Sequence, residues 1–240
     1  MSEEIKVKEE LPPDEVILAY LYSKSFTCPV CQKEFGSCTV RRSKLRQVGI
    51  DRDFRTRYKD IDPNLYDVVI CSHCGYGALS NYFDRILSKQ ADWVKEQITP
   101  GYKHVEYDLP MKPIDALARY KHAVACAQAT KAKASVKSII FLKMAWVCRS
   151  VGDVKNELAM INLSYTNLKE AFTTESFPLG NMDEHTAKYM LAEMARRLGD
   201  FDEASRMIGS ILVSRTVSSS IKDKAQDMKD LIREKISDQV

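Results

Sequence analysis

No stretch of this 240-residue chain approaches the ~20 consecutive apolar residues of a membrane-crossing helix, so no spanning helix is expected. The first residues, Met1-Ser2-Glu3-Glu4, are acidic and lack the basic and apolar regions of a secretory leader. A cytoplasmic protein with no membrane partner is the expectation. Histidine is scarce. His73, His104, His122 and His185 stand apart, none beside a nucleophile or a paired carboxylate at motif spacing. His122, next to Ala123 on a helical stretch, reads as a structural or surface side chain rather than a general base. None of the 9 glycines builds a phosphate-cradling loop. Without such constellations the chain is not expected to be an enzyme. Charge of one sign is also missing overall: the formal net charge is +3, too small to argue for nucleic acid along the whole chain.

Cysteine, by contrast, is plentiful, with 7 residues. The number is odd, and Cys126 and Cys148 lie in apolar, helical surroundings where a reduced thiol acts as a small hydrophobe. Two pairs stand out, Cys28-Pro29-Val30-Cys31 and Cys71-Ser72-His73-Cys74-Gly75, separated by 39 residues. Each pair puts two sulfurs on one tight turn, and two such turns facing each other offer four thiolates to one ion. That set suits a single structural Zn²⁺ per chain, held by Cys28, Cys31, Cys71 and Cys74 at about 2.3 Å per bond. A redox dithiol at Cys28 and Cys31 is a weaker reading, because redox pairs normally follow a βαβ pattern. An iron–sulfur cluster also takes four thiolates. Cys38 is a spare sulfur, and His73 a replacement ligand inside the second turn. The long gap is no obstacle. Doubling a loop adds only about 0.6 kcal/mol of closure entropy, against roughly 10–16 kcal/mol for structural zinc.

Charge is concentrated in one place. From Val40 to Lys59 there are eight basic residues against two acids, Asp51 and Asp53. Arg41, Arg42, Lys44, Arg46, Arg55 and Arg57, interleaved with Phe54 and Tyr58, are candidate phosphate and base contacts for a nucleic-acid-binding regulator. The competing explanation is that these cations offset the −2 charge of a zinc tetrathiolate.

The pattern along the chain divides it into a lead-in with a short helix over 1–25, a ribbon-like metal-binding domain over 26–80, a connecting helix and linker over 81–112, and a helical domain over 113–240. Asp14 is placed to cap a short helix running through Tyr22, and Val68-Val69-Ile70 is a strand entering the second cysteine pair. Phe83, Ile86, Leu87 and Val94 give a first helical stripe, and six further helical stretches follow the linker, with a break at Phe177-Pro178-Leu179-Gly180 after the third of them. Residues 142–153 recur as 189–200, and both copies end at Gly-Asp: Gly152-Asp153 and Gly199-Asp200. The glycine suits a left-handed helix end and the aspartate a cap for the next helix. Ala145 and Ala192 each stand seven residues before that glycine, where a small side chain lets a partner helix approach. The second copy resembles a tetratricopeptide repeat, with Phe201 and Ala204 in place, whereas the first departs from it at Glu157. An ordinary antiparallel bundle fits the same pattern.

Taken together, Phe26-Thr27-Cys28-Pro29-Val30-Cys31, Glu34-Phe35, Ser43-Lys44-Leu45-Arg46, Asp53-Phe54, Tyr58, Asp62-Pro63, Leu65-Tyr66-Asp67-Val68 and Cys71-Ser72-His73-Cys74-Gly75-Tyr76 resemble a bacterial family catalogued as domain of unknown function 2225. Two positions depart from its pattern: Gln32 stands where Gly is familiar, and Gly77 where Ala is. The resemblance implies a zinc-ribbon-like N-terminal part and a tetratricopeptide-like helical part, and it implies no activity. The expected fold is mainly α with a small β part, an N-terminal split zinc ribbon followed by a tetratricopeptide-like array of antiparallel helical hairpins. The expected role is non-enzymatic: protein–protein interaction through the helical domain, with nucleic-acid binding through the basic strip as the alternative.

Overall fold

Tyr22, Phe26 and Thr27 favour extended backbone, and the short helix gives way to strand before it reaches them. Helix α1 spans Asp14–Leu18 only. Leu21 opens strand β1 (Leu21–Thr27) and is buried with Val40, Ile61, Tyr66, Met111 and Ala116, a set of contacts that no continuation of α1 could make. The expected helix end at Tyr22 is therefore corrected to Leu18. The computed structural model describes residues 12–237, and most of the expected lead-in, residues 1–11, lies outside them.

Three antiparallel hairpins follow in sequence. β1 pairs with β2 (Glu34–Val40) from Leu21↔Val40 to Thr27↔Glu34, so the first cysteine pair is the turn between them. β3 (Gln47–Ile50) pairs with β4 (Thr56–Tyr58). β5 (Val68–Ile70) pairs with β6 (Gly77–Leu79), and the second cysteine pair is their turn. The 39-residue gap thus contains β2, a whole inserted hairpin and β5. Phe83 and Ile86 precede helix α2 (Ser88–Gln97) rather than lying on it. Phe83 is fully buried against Phe26, Phe35 and Tyr76, whose hydroxyl donates to the Phe83 carbonyl at 3.2 Å. That aromatic cluster overrides the helical periodicity of the segment.

The rest of the chain is helical: α3 (Pro113–Ala129), α4 (Ala134–Ser150), α5 (Val154–Thr174), α6 (Glu184–Arg197), α7 (Phe201–Val213) and α8 (Ser219–Ser237). The protein is mainly α, with small antiparallel sheets carrying the cysteine turns ahead of a helical region. Both Gly-Asp corners are built alike. Gly152 (φ 72) and Gly199 (φ 86) are left-handed. Asp153 N–H reaches back to Cys148 O, and Asp200 N–H to Ala195 O, at 3.0 and 2.9 Å. These are Schellman ends. Each aspartate then caps the following helix, accepting from Asn156 N–H and Glu203 N–H, and such a cap contributes about 1 kcal/mol. Ala145 and Ala192 are both fully buried, packed respectively with Ile161, Leu168 and Ala171, and with Ala204 and Ile208. Helix α3 joins the two regions, because Tyr120 and Ala123 bury against Val68 and Leu79 on one side and Ile140, Met144 and Val147 on the other.

Candidate metal centre

The two cysteine turns share one backbone design. In the first, Cys28 N–H donates to Lys33 O and Gln32 N–H donates to Cys28 O, at 3.0 and 2.9 Å. In the second, Cys71 N–H donates to Tyr76 O and Gly75 N–H to Cys71 O, at 2.8 and 3.0 Å. The fourth residue after each leading cysteine is left-handed: Gln32 at φ 61 and Gly75 at φ 76. This explains why glycine is the familiar residue at position 32. Gly75 is doubly constrained, since a Cβ there would run into the Tyr102 ring. Gln32→Gly is accordingly expected to stabilise the protein by about 0.5–1 kcal/mol, whereas Gly75→Ala destabilises it by more than that amount. Urea midpoints of the two variants read this out, and equal shifts would contradict the turn geometry.

These turns bring all four sulfurs together. Cys28, Cys31, Cys71 and Cys74 Sγ lie within 4.8 Å of one another. The closest separations are 3.5 Å for Cys28–Cys74 and 3.6 Å for Cys31–Cys71. A disulfide measures about 2.05 Å, so these are free thiols. Four sulfurs bound to one tetrahedral ion at about 2.3 Å stand about 3.8 Å apart, close to the spacing found. The donor set therefore fits a metal ion. Cys38 takes no part in the cluster; it packs at the edge of the Leu21–Tyr66 core. His73 is also directed elsewhere, its Nε2 lying 3.1 Å from Glu34 O.

Electrostatics favours the same conclusion. A hydrogen bond from the Cys74 thiol lowers Cys28 to about 5, so one thiolate forms readily. Its neighbours go the other way. Cys74 is raised by that same bond and by burial, and burial, with the Cys28 charge, pushes Cys71 up to about 11. Near neutral pH the metal-free cluster thus keeps protons on Cys71 and Cys74, which a cation must displace. Metal binding releases protons and weakens as pH falls.

The basic strip does not converge. Arg41, Arg42, Lys44 and Arg46 are exposed around the turn before β3. Arg41 lies over the Tyr22 ring, and Lys44 donates to Ala19 O. Arg55 is only 8% exposed and pairs with Asp62 at 2.9 Å. Arg57 pairs with Asp51 at 3.0 Å. Phe54 packs at a tilt against Tyr189 of α6 instead of facing solvent. The strip is thus not one phosphate track: burial takes Arg55 and packing takes Phe54 out of it. Nor do the charged groups of Arg55 and Arg57 sit against the sulfurs; both are held by carboxylates.

Sequence reasoning missed a buried ionic centre. At the tip of the β3–β4 hairpin, Asp53 accepts from Trp146 Nε1 at 3.0 Å and from the Arg149 guanidinium. Arg149 also donates to Glu157 and to Asp51, at 2.5 and 3.0 Å, and Arg197 pairs with Glu157 at 2.6 Å. Asp53 and Glu157 are 2% and 3% exposed, so these charges are neutralised by one another rather than by water. Burial alone would raise the Asp53 pKa, but the bond and charge of Arg149, with Trp146 and Arg197, hold it below the usual carboxylate range. Glu157, where the first repeat copy departs from the tetratricopeptide pattern, is a member of this centre. The available signal was two acidic residues, Asp51 and Asp53, in an otherwise basic hairpin and an arginine three residues before Gly152.

Fold and site define a mainly α protein whose N-terminal hairpins present a four-cysteine cluster able to hold a metal ion. Residues 21–232 match the profile of a family described as an uncharacterized protein conserved in bacteria, DUF2225. The chain belongs to that family. No curated protein and no solved structure matches it. Among the described residues no helix is long and apolar enough to cross a membrane.

Proposed function

We propose that this chain is a cytoplasmic, non-enzymatic interaction protein. In this reading one structural zinc ion holds the cysteine hairpins, and the tetratricopeptide-like helices engage a partner protein. Four thiolates close the coordination shell, which leaves no position for a reacting water and makes the ion a scaffold. The reading rests above all on the face made by α4, α6 and α8. The Asp53-Phe54 tip of the β3–β4 hairpin already lies on it, with the Phe54 ring 5.5 Å from Tyr189 and under Lys224. Beside that tip is a cleft of about 480 Å³ with Ile139, Trp146, Met182 and Met190 on its walls. The hairpin is thus an internal example of what the face accepts: a tight turn, with Phe54 left-handed at φ 61, carrying a large apolar side chain next to an acid. Met side chains suit such a surface because they repack around different shapes. The partner segment we propose has this chemistry.

A photo-crosslinking residue placed at Met182 in the full-length chain tests the reading. A discrete protein adduct is expected in cells, and it disappears when Ile139→Glu is introduced on the facing wall. The second reading, a nucleic-acid-binding regulator, is favoured by the exposure of Arg41, Arg42, Lys44 and Arg46, none of them in an ion pair among the described residues. Adducts to RNA or DNA from position 42, weakening steeply with salt, would replace the protein-partner reading.

A further inference from the structure

Arg119 is the one buried guanidinium in this fold with no carboxylate partner among the described residues. It lies on α3, 8% exposed, while Arg55, Arg149, Arg196 and Arg197 are all in ion pairs. One nitrogen, Nη2, donates to Val68 O, and Nε has no hydrogen-bond partner. The guanidinium sits 5.9 Å from the Tyr107 ring centroid, a stacking contact that leaves its charge uncompensated. Burial lowers its pKa without removing the charge from a group that titrates so far above neutrality. A buried charge lacking a counter-ion is among the costliest groups a fold can keep.

The same residue lines a cavity of about 770 Å³, between α3, β2 and the extended segment 102–111. That size falls within the range of small-molecule sites, roughly 300–1,000 Å³. Ile70, Ile98 and Met111 supply apolar wall. Tyr102, Tyr107 and His104 come from the covering segment, with the Tyr102 hydroxyl 3.1 Å from His104 Nδ1. The single acid on the lining, Glu106, is exposed and makes no ion pair with Arg119. One wall is fixed by the second cysteine turn: Tyr102 packs on Gly75, and His122 Nε2 bonds Gly75 O.

We infer that this cavity is a binding site for a small organic monocarboxylate with an apolar body, its carboxylate neutralising Arg119. The charge count decides between anions. One buried cation matches one negative charge, whereas a phosphate dianion would remain half neutralised, since Lys103 is exposed. The apolar wall selects the body of the ligand. The covering segment, which carries Tyr107, closes over both.

Titration calorimetry on the full-length, metal-loaded chain tests this with matched pairs, 2-naphthoate against 2-naphthamide and decanoate against decanamide. At least one carboxylate is expected to bind once per chain and at least tenfold more tightly than its neutral amide. Arg119→Gln is expected to bring that ratio to about one while far-UV circular dichroism stays unchanged. Should the variant fail to fold, the wild-type Arg119 Nε–H resonance gives the same answer: it shifts on adding the acid and not on adding the amide. Equal binding of acid and amide, no binding of either acid, or displacement of naphthoate by inorganic phosphate would each overturn the proposal.

Discussion

Asp53→Ala is expected to lower the unfolding free energy by about 3–5 kcal/mol, the usual consequence of removing one partner from a buried ionic group. Asp53 is 2% exposed and is the acceptor for Trp146 and Arg149, so its loss strands the Arg149 guanidinium with Glu157 and Asp51 as its remaining partners. The expected magnitude follows from burial, and an internal control shows it. Asp92 pairs with Lys95 on the surface of α2, with both side chains more than half exposed, and Asp92→Ala should cost under about 1 kcal/mol. Urea denaturation of the two variants makes the comparison. Acid should act through the same group. Asp53 is held below its unfolded value near 3.9, so the unfolded chain binds more protons than the folded one in that range. Its contribution is complete above the unfolded pKa and disappears as pH falls through the lower folded one; Asp53→Ala should flatten that part of the pH–stability curve. A loss below 1 kcal/mol for Asp53→Ala would mean that the hairpin tip is not held by this centre.

Withdrawing the metal should have a larger effect. Structural zinc binds with an apparent ~10–16 kcal/mol, more than the whole stability of most domains. Chelation, or Cys71→Ala, is expected to unfold the β1–β2 and β5–β6 hairpins together, because each is turned by a cysteine pair. The damage should also cross into the helices. Val68 and Leu79 form one side of the core of α3, so α3 loses its packing while α5 to α8, buried against one another, keep theirs. Amide hydrogen exchange should show protection lost over 26–40, 68–79 and 113–129 and retained over 154–237. Uniform protection after complete metal removal would contradict a scaffolding role for the ion.

The local features of this fold were legible in the sequence because short-range chemistry sets them. The cysteine turns, the Val68–Ile70 strand and the Gly-Asp corners all depend on residues within six positions of one another. A third corner of the same kind escaped notice. Lys131 takes the left-handed position after α3 at φ 48, and Ala132 N–H closes the Schellman bond to Ala127 O at 2.8 Å. With lysine instead of glycine there was no signal, and Trp93, under the Lys131 ammonium, is distant in sequence. Long-range packing hid the rest. Phe83 has helical spacing with Ile86 and Val94, yet the aromatic cluster of the first hairpin claims it. Arg55 and Phe54 looked like surface residues in a basic run until the β3–β4 hairpin was seen folded against Asp62 and the helices. Arg119 gave no sign at all, since only the fold shows that it is buried with no carboxylate paired to it.

The central claim is that Cys28, Cys31, Cys71 and Cys74 together hold one zinc ion. X-ray absorption on the full-length protein, combined with elemental analysis, tests it most directly. The account predicts about one zinc per chain with four sulfur scatterers at about 2.3 Å and no nitrogen or oxygen in the shell. Iron in place of zinc, a shell containing nitrogen or oxygen, or a folded protein with four metal-free thiols would contradict it.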